Sequence, residues 1–149
     1  MADPAPKPQG NPGYLTEQDI RIWLRDTDPE ANLLIRDYEF GHEEIRTAQT
    51  LAVDYFNEAS PNLTIYNFEY TNFPFRYHLL MGTAANLLFI AANRYRRNEL
   101  QYNIGGGAVA DQSKAPAYDT AGEKLWEQYK VWCADKKREL NIRQGWARA

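Results

Sequence analysis

The run from Leu79 to Ala92 decides how this chain folds; it reads Leu-Leu-Met-Gly-Thr-Ala-Ala-Asn-Leu-Leu-Phe-Ile-Ala-Ala. It is too short for a membrane span, which needs about 20 apolar residues, and it contains Asn86. Apolar side chains occur on every side of the run, which is typical of a helix at the centre of a domain. Pro74 suits the first turn of that helix, and we expect the helix to end near Gln101.

A second long helix is predicted after a glycine-containing loop at residues 103–114. Pro116 suits its first turn, and one helical stripe then runs through Leu125, Tyr129, Trp132, Lys136 and Leu140, apolar except for Lys136. Gly145 is a plausible end of this helix, because glycine commonly follows the last helical turn. We expect the regular helix to end near Ile142 and a C-terminal tail to occupy 142–149.

The N-terminal half predicts two shorter helices. Thr16 and Asp19 have the spacing of a capping box, and a further amphipathic helix is expected from about Phe40 to Ala59. Residues 63–72 alternate between apolar and polar side chains, which fits either one short strand or an extended loop. Residues 1–14 are rich in proline and glycine, and we expect a flexible arm there.

These patterns together predict a mainly α fold. We expect a helical bundle built around two long helices, with at most a short strand or extended segment and flexible termini. A chain of 149 residues fits a single domain. The expected organisation is therefore an arm at 1–14 and one helical domain at 15–149.

Charge is unevenly distributed along the chain. Residues 1–75 contain 13 acidic and 5 basic residues, a net charge of −8, whereas residues 76–149 contain 7 acidic and 12 basic residues, a net charge of +5. Opposite charge on two halves suits head-to-tail association of copies. It equally suits pairing of the two halves inside one fold, and the sequence leaves both readings open.

No catalytic or metal-binding pattern is recognisable. The chain has two histidines and one cysteine, and His42 lacks the second histidine of a helical zinc motif. The glycine triplet at 105–107 lacks the Lys-Ser/Thr ending of a phosphate-binding loop; Lys114 is seven residues further on. We therefore expect no enzyme activity, no metal and no cofactor.

A basic cluster of Arg94, Arg96 and Arg97 surrounds Tyr95. Basic side chains beside an aromatic ring are compatible with nucleic-acid binding. They are equally typical of the C-terminal end of a helix, where positive charge complements the helix dipole. The acidic composition of the whole chain, with an isoelectric point near 5.4, favours the helix-end reading.

Several segments, taken in order, resemble the head–tail connector (adaptor) proteins of the neck of tailed bacteriophages. The resemblance covers roughly residues 15–149. It rests on Asp37-Tyr38-Glu39-Phe40, Phe56-Asn57-Glu58-Ala59-Ser60-Pro61, Phe73-Pro74, the apolar run 82–92, Arg97-Asn98-Glu99-Leu100-Gln101-Tyr102, Gly105-Gly106-Gly107, Lys114-Ala115-Pro116-Ala117-Tyr118, and Lys137 and Asn141 on the final helix.

The resemblance implies a virion subunit, made in the host cytoplasm, that forms a ring of typically twelve copies below the portal. Such a ring extends the DNA channel, through which DNA passes without sequence-specific binding, and joins the portal to the tail or to a further neck protein. It implies no membrane association. A tail-completion or stopper protein, or a small DNA-binding packaging accessory protein, is the alternative.

Site residues follow from the same resemblance. The portal would be bound by the C-terminal tail, through Asn141, Ile142, Arg143, Trp146 and Arg148. A neighbouring copy or the next ring would contact the loop region, through Tyr102, Gly105, Gly106, Gly107 and Lys114. Arg94, Arg96 and Arg97 would face either DNA or a neighbouring subunit.

Overall fold

The structure, a computed structural model, describes residues 15–31, 37–63, 68–102 and 114–147. Four α-helices lie in this part of the chain: α1 (Glu17–Leu24), α2 (His42–Glu58), α3 (Arg76–Tyr102) and α4 (Ala115–Ala147). A single 3₁₀ turn at Pro29–Ala31 follows α1. The expectation of a mainly α fold is confirmed.

The alternating segment 63–72 is only partly described. Residue 63 and residues 68–72 are not in a strand, and residues 70–72 form a turn. Residues 64–67 lie outside the described ranges, as do the proposed arm at 1–14 and the glycine triplet at 105–107. For the described part of this segment, the extended-loop alternative is therefore the correct one.

Helix α1 begins as the sequence predicts. The Thr16 hydroxyl accepts a hydrogen bond from the Asp19 backbone N–H at 3.2 Å, and the Asp19 carboxylate accepts one from the Thr16 N–H at 3.1 Å. This reciprocal pair satisfies two backbone donors at the helix start. The helix ends at Arg25, which adopts the left-handed conformation (φ 61°, ψ 29°).

Helices α2 and α4 both pack on α3. Small residues make this packing close: a Cβ atom at Gly82 would lie 3.0 Å from the ring of Tyr129 on α4. One at Gly122 would lie 3.0 Å from Phe89 on α3. The earlier residue of α3 in these pairs, Gly82, lies beside the later residue of α4, Tyr129, and the reverse holds for Phe89 and Gly122, so the two helices are antiparallel.

Aromatic residues fill the end of the bundle where α2 stops and α3 starts. Phe56 is fully buried and packs edge-to-face on Phe73, with ring centroids 5.1 Å apart. Phe68, Phe75 and Trp132 surround this pair. Edge-to-face aromatic pairs add about 0.5–1.5 kcal/mol each beyond their burial. This cluster ties the segment 68–75 to helices α2 and α4.

The predicted end of α4 is wrong. The helix does not stop at Gly145 but runs through it to Ala147, so residues 142–147 form helix rather than a separate tail. Glycine in a helix interior costs about 1 kcal/mol relative to alanine, which a helix of 33 residues can accommodate. At about 1.5 Å per residue, α4 is roughly 50 Å long.

Candidate functional site

The C-terminal end of α4 carries most of the predicted portal-binding residues. Asn141 donates a hydrogen bond from its side chain to the backbone oxygen of Asn62 at 3.2 Å. This bond joins α4 to the turn after α2. Ile142 is 59% exposed, and Arg143 pairs with Glu139 on the same helix at 2.6 Å. The first of these three residues therefore has a structural contact, whereas the next two face solvent.

Trp146 lies on the last turn of α4 and not beyond the helix, which corrects the sequence-based placement. Its side chain, like Arg148 as a whole, lies outside the described part of the structure.

Helix α4 continues well past the start of its partner α3. Phe75, which immediately precedes α3, packs on Trp132 and lies under the ammonium of Lys136. The remaining residues of α4, 137–147, therefore extend beyond the N-terminus of α3. At about 1.5 Å per residue they add roughly 16 Å of helix.

The second predicted contact region lies at the opposite end of the α3–α4 pair. Tyr102 ends α3 and Lys114 immediately precedes α4. The Lys114 side chain is exposed, with its ammonium 5.8 Å from the centre of the Tyr95 ring. Gly105, Gly106 and Gly107 belong to the connection between these two helices and lie outside the described ranges. The two predicted docking regions are therefore separated by the length of the bundle.

The predicted basic cluster is largely paired within the chain. Arg94 donates to the backbone oxygen of Glu39 at 2.6 Å and to the Glu44 carboxylate at 2.7 Å. Arg96 forms an ion pair with Asp119 on α4, whereas Arg97 is exposed. Two of the three guanidinium groups thus stabilise contacts between elements, which argues against a DNA-binding surface. The helix-end interpretation is not supported either, because α3 continues to Tyr102 and no basic residue lies in its last turn.

Sequence analysis missed a polar cluster around Glu39. Tyr95 stacks on Tyr118 with ring centroids 5.4 Å apart, and both hydroxyls approach the Glu39 carboxylate, at 3.2 and 3.5 Å. Burial, followed by the Glu39 charge, raises the pKa of both tyrosines. Three residues far apart in sequence form this cluster, and no local pattern links them.

Ion pairs also connect the acidic and basic halves of the chain. Asp19 pairs with Arg76 at 2.7 Å, and Glu44 pairs with Arg94 at the same distance. Both pairs join an acid from the first half to a base from the second. Pairing inside one fold, one of the two alternatives left open by the sequence, therefore accounts for part of the charge asymmetry.

A stripe on α4 is buried against α2. Tyr129 donates a hydrogen bond to the backbone oxygen of Ala52, and Lys137 donates to that of Ala59. Burial raises the pKa of the Cys133 thiol to about 12 and lowers the pKa of the Lys137 ammonium. Cys133 therefore stays a neutral thiol. The Lys137 ammonium complements the partial negative charge of the backbone oxygens at the C-terminal end of α2.

An exposed apolar groove runs between α1 and the start of α3. It encloses about 430 Å³ and is lined by Leu15, Asp19, Ile22, Trp23, Arg76, Tyr77 and Leu80. Ile22, Trp23 and Tyr77 are 58%, 46% and 66% exposed. We call this surface the α1–α3 groove. Three adjacent exposed apolar side chains form a patch of the kind that marks interaction sites.

Across the described ranges, no three or more His, Cys, Asp or Glu side chains are grouped so that they could hold a metal ion. Within the same residues, none of the helices combines the length and apolar character that crossing a bilayer requires.

Comparison with known proteins does not assign this chain. No family model, no curated protein and no solved structure matches it. The resemblance described above therefore stays a prediction from the sequence.

Proposed function

We propose that this chain is a structural virion protein, a head–tail adaptor of the neck of a tailed bacteriophage. In this proposal copies form a ring, of about twelve, below the portal. The ring extends the DNA channel and joins the portal to the tail or to a further neck protein. The activity is binding to other proteins, without bond-making chemistry or a cofactor.

The observation that carries the proposal is the extension of α4. Its last 11 residues, 137–147, pass the start of α3. Lys137 and Asn141 are still bonded to the turn after α2, and the exposed Ile142 follows them. An apolar side chain on a projecting helix end is suited to a groove on a partner, as in helix-in-groove recognition. The proposed portal contact is therefore a helix end rather than an extended tail.

The separation of the two candidate contact regions supports the same proposal. An adaptor needs one surface for the portal and another for a neighbouring copy or the next ring. Residues 141–147 lie at one end of the α3–α4 pair, and Tyr102 and Lys114 lie at the other. The roles assigned to these two surfaces rest on the resemblance.

A pull-down of the full chain by its cognate portal tests this function. The Ile142→Asp and Trp146→Ala variants should each weaken retention, by a factor corresponding to roughly 2 kcal/mol for an interface anchor. Val131→Asp is the matched control, since Val131 is also on α4 and is 60% exposed. Equal retention of all three variants, or no retention of the wild type, would contradict portal docking through this end of α4.

Electron micrographs of the purified protein, alone and with portal, test ring formation separately. The alternative of a tail-completion or stopper protein predicts binding to another neck component in place of the portal. The alternative of a DNA-packaging accessory protein predicts duplex DNA binding that weakens steeply with salt. The internal pairing of Arg94 and Arg96 argues against that last function.

A further inference from the structure

The α1–α3 groove differs from the remaining exposed apolar residues in being continuous. The described part of the chain has seven exposed large apolar side chains, and three of them, Ile22, Trp23 and Tyr77, line this one groove. The other four, Tyr38, Leu51, Val131 and Ile142, line no part of it. Scattered apolar residues are normal on a protein surface, whereas contiguous exposed apolar residues that line a groove are typical of a binding site.

The chemistry of the groove matches a proline-rich segment. Trp23 and Tyr77 contribute flat aromatic surfaces, and grooves lined by aromatic rings are the common receptors for polyproline II segments. Such segments also present backbone oxygens that have no internal partners. Trp23 and Arg76 line the groove and carry N–H donors of the kind that such oxygens need, although one Arg76 nitrogen is paired with Asp19.

Residues 1–14 of this chain have the required composition and the right point of attachment. They contain Pro4, Pro6, Pro8 and Pro12, of which Pro8 and Pro12 lie in the seven residues next to Leu15. Leu15, the first described residue, is buried and forms part of the groove wall, and residues 1–14 are joined to it through the chain. At about 3.1 Å per residue in polyproline II, four residues cover roughly 12 Å, the length of the eight-residue helix α1.

A second cavity shares Leu15 but fits this segment less well. It encloses about 290 Å³, and its lining residues include the charged or titratable Glu17, His42 and Arg46 beside a single aromatic ring, Tyr70. Its chemistry lacks the paired exposed aromatic rings of the α1–α3 groove. The two cavities provide a direct test, because an arm leaving Leu15 has a choice between them.

We propose that the α1–α3 groove is the docking site for residues 8–14 of the same chain. Attachment through Leu15 gives this segment a high effective concentration at the groove, in the millimolar range for a short tether, which favours the same chain over a second copy. Docking would cover Ile22, Trp23 and Tyr77 and hold α1 against α3. The inference is independent of the adaptor function, because it concerns the isolated chain.

Disulfide trapping in the full chain tests this docking. An Asn11→Cys, Ile22→Cys double variant should form an intramolecular disulfide under mild oxidation, seen as a faster band on a non-reducing gel. The matched control, Asn11→Cys with Arg46→Cys, places the second thiol in the other cavity beside Leu15. Docking predicts cross-linking at position 22 about tenfold faster than at position 46, which a freely moving tether would not produce. Cys133 is buried and does not compete.

Adding Tyr77→Asp to the first double variant should remove this preference by placing a charge in the groove. Tyr77 is 66% exposed, so the fold does not depend on it. Equal cross-linking at positions 22 and 46, or a preference that survives Tyr77→Asp, would overturn the proposal. A disulfide-linked dimer would also overturn it, because the occupant would then be a second copy.

Discussion

The side chain of Asn57 pairs with both backbone groups of Phe68. Its amide N–H donates to the Phe68 oxygen at 2.8 Å, and its amide oxygen accepts from the Phe68 N–H at 3.0 Å. One side chain thus replaces the partners that a neighbouring strand would give to this extended segment. The segment holds Phe68 against Phe56, so Asn57 anchors the aromatic cluster at this end of the bundle.

Asn57→Ala should lower the free energy of unfolding by about 1–3 kcal/mol, because it leaves a donor and an acceptor of Phe68 without their partner. Urea denaturation monitored by circular dichroism measures this. Glu58→Gln, at the neighbouring and exposed position, is the control and should change stability by less than about 0.5 kcal/mol. Equal stability of the two variants would show that the Phe68 pairing contributes nothing.

Gly82→Ala should destabilise the fold by up to about 2 kcal/mol, because overpacking a core usually costs about 1–3 kcal/mol and alanine in place of glycine in a helix offsets about 1 kcal/mol of this. The added Cβ would lie 3.0 Å from three ring atoms of Tyr129. That ring cannot move aside easily, because it is fully buried and its hydroxyl is bonded to Ala52. The cost should exceed the gain of about 1 kcal/mol from replacing glycine by alanine in a helix. A rise in melting temperature would contradict this account.

Gly145→Ala should stabilise its helix, in contrast to Gly82→Ala. The backbone of residue 145 is helical, and alanine favours helix over glycine by about 1 kcal/mol. We expect slower amide hydrogen exchange at residues 143–147 of the variant than of the wild type. If Gly145 instead ended the helix in a left-handed conformation, alanine would speed exchange there.

Stability should fall as the pH drops through the range of His78 titration. Burial, and then the positive charge of Lys136, lower the pKa of His78 below its ordinary value of 6.5, and the ring stacks on Trp132 at 4.0 Å. The unfolded chain therefore binds a proton on this residue more readily than the folded chain. The free energy of unfolding consequently decreases as the pH falls from about 7.5 through 6.5, and this contribution levels off below the folded pKa.

His78→Phe keeps a ring for stacking but removes the titrating group. Urea denaturation at pH 7.5 and pH 5.5 should therefore show a smaller loss of stability in the variant than in the wild type. An identical loss in both proteins would exclude His78 as a source of the pH dependence.

Local patterns predicted the elements well where they depend on neighbouring residues. The capping box at Thr16 and the apolar periods of α2, α3 and α4 require only short-range spacing. The prediction for the end of α4 is wrong because glycine commonly follows the last helical turn, and at position 145 it does not. Within a helix this long, one unfavourable residue does not outweigh the hydrogen bonds that continue through it.

The candidate surfaces depend on contacts between distant residues, and these are not visible in the sequence. Arg94 and Arg96 look like a basic cluster along the chain, yet their partners, Glu44 and Asp119, come from two other helices. The α1–α3 groove likewise forms only when the fold brings Trp23 on α1 and Tyr77 on α3 to the same surface. Hydrophobic periodicity places each residue on a face, but it does not say which faces stay uncovered.

The contacts of Lys137 and Asn141 connect the last turns of α4 to the end of α2, which matters when force is applied to the C-terminal end of the chain. Both side chains, four residues apart on α4, hold backbone oxygens of the turn after α2, at Ala59 and Asn62. A pull on the last turns of α4 therefore acts on that turn as well as on the α3–α4 contact. Since the turn is also the end of α2, tension at the tip of α4 is shared between two helices from the outset.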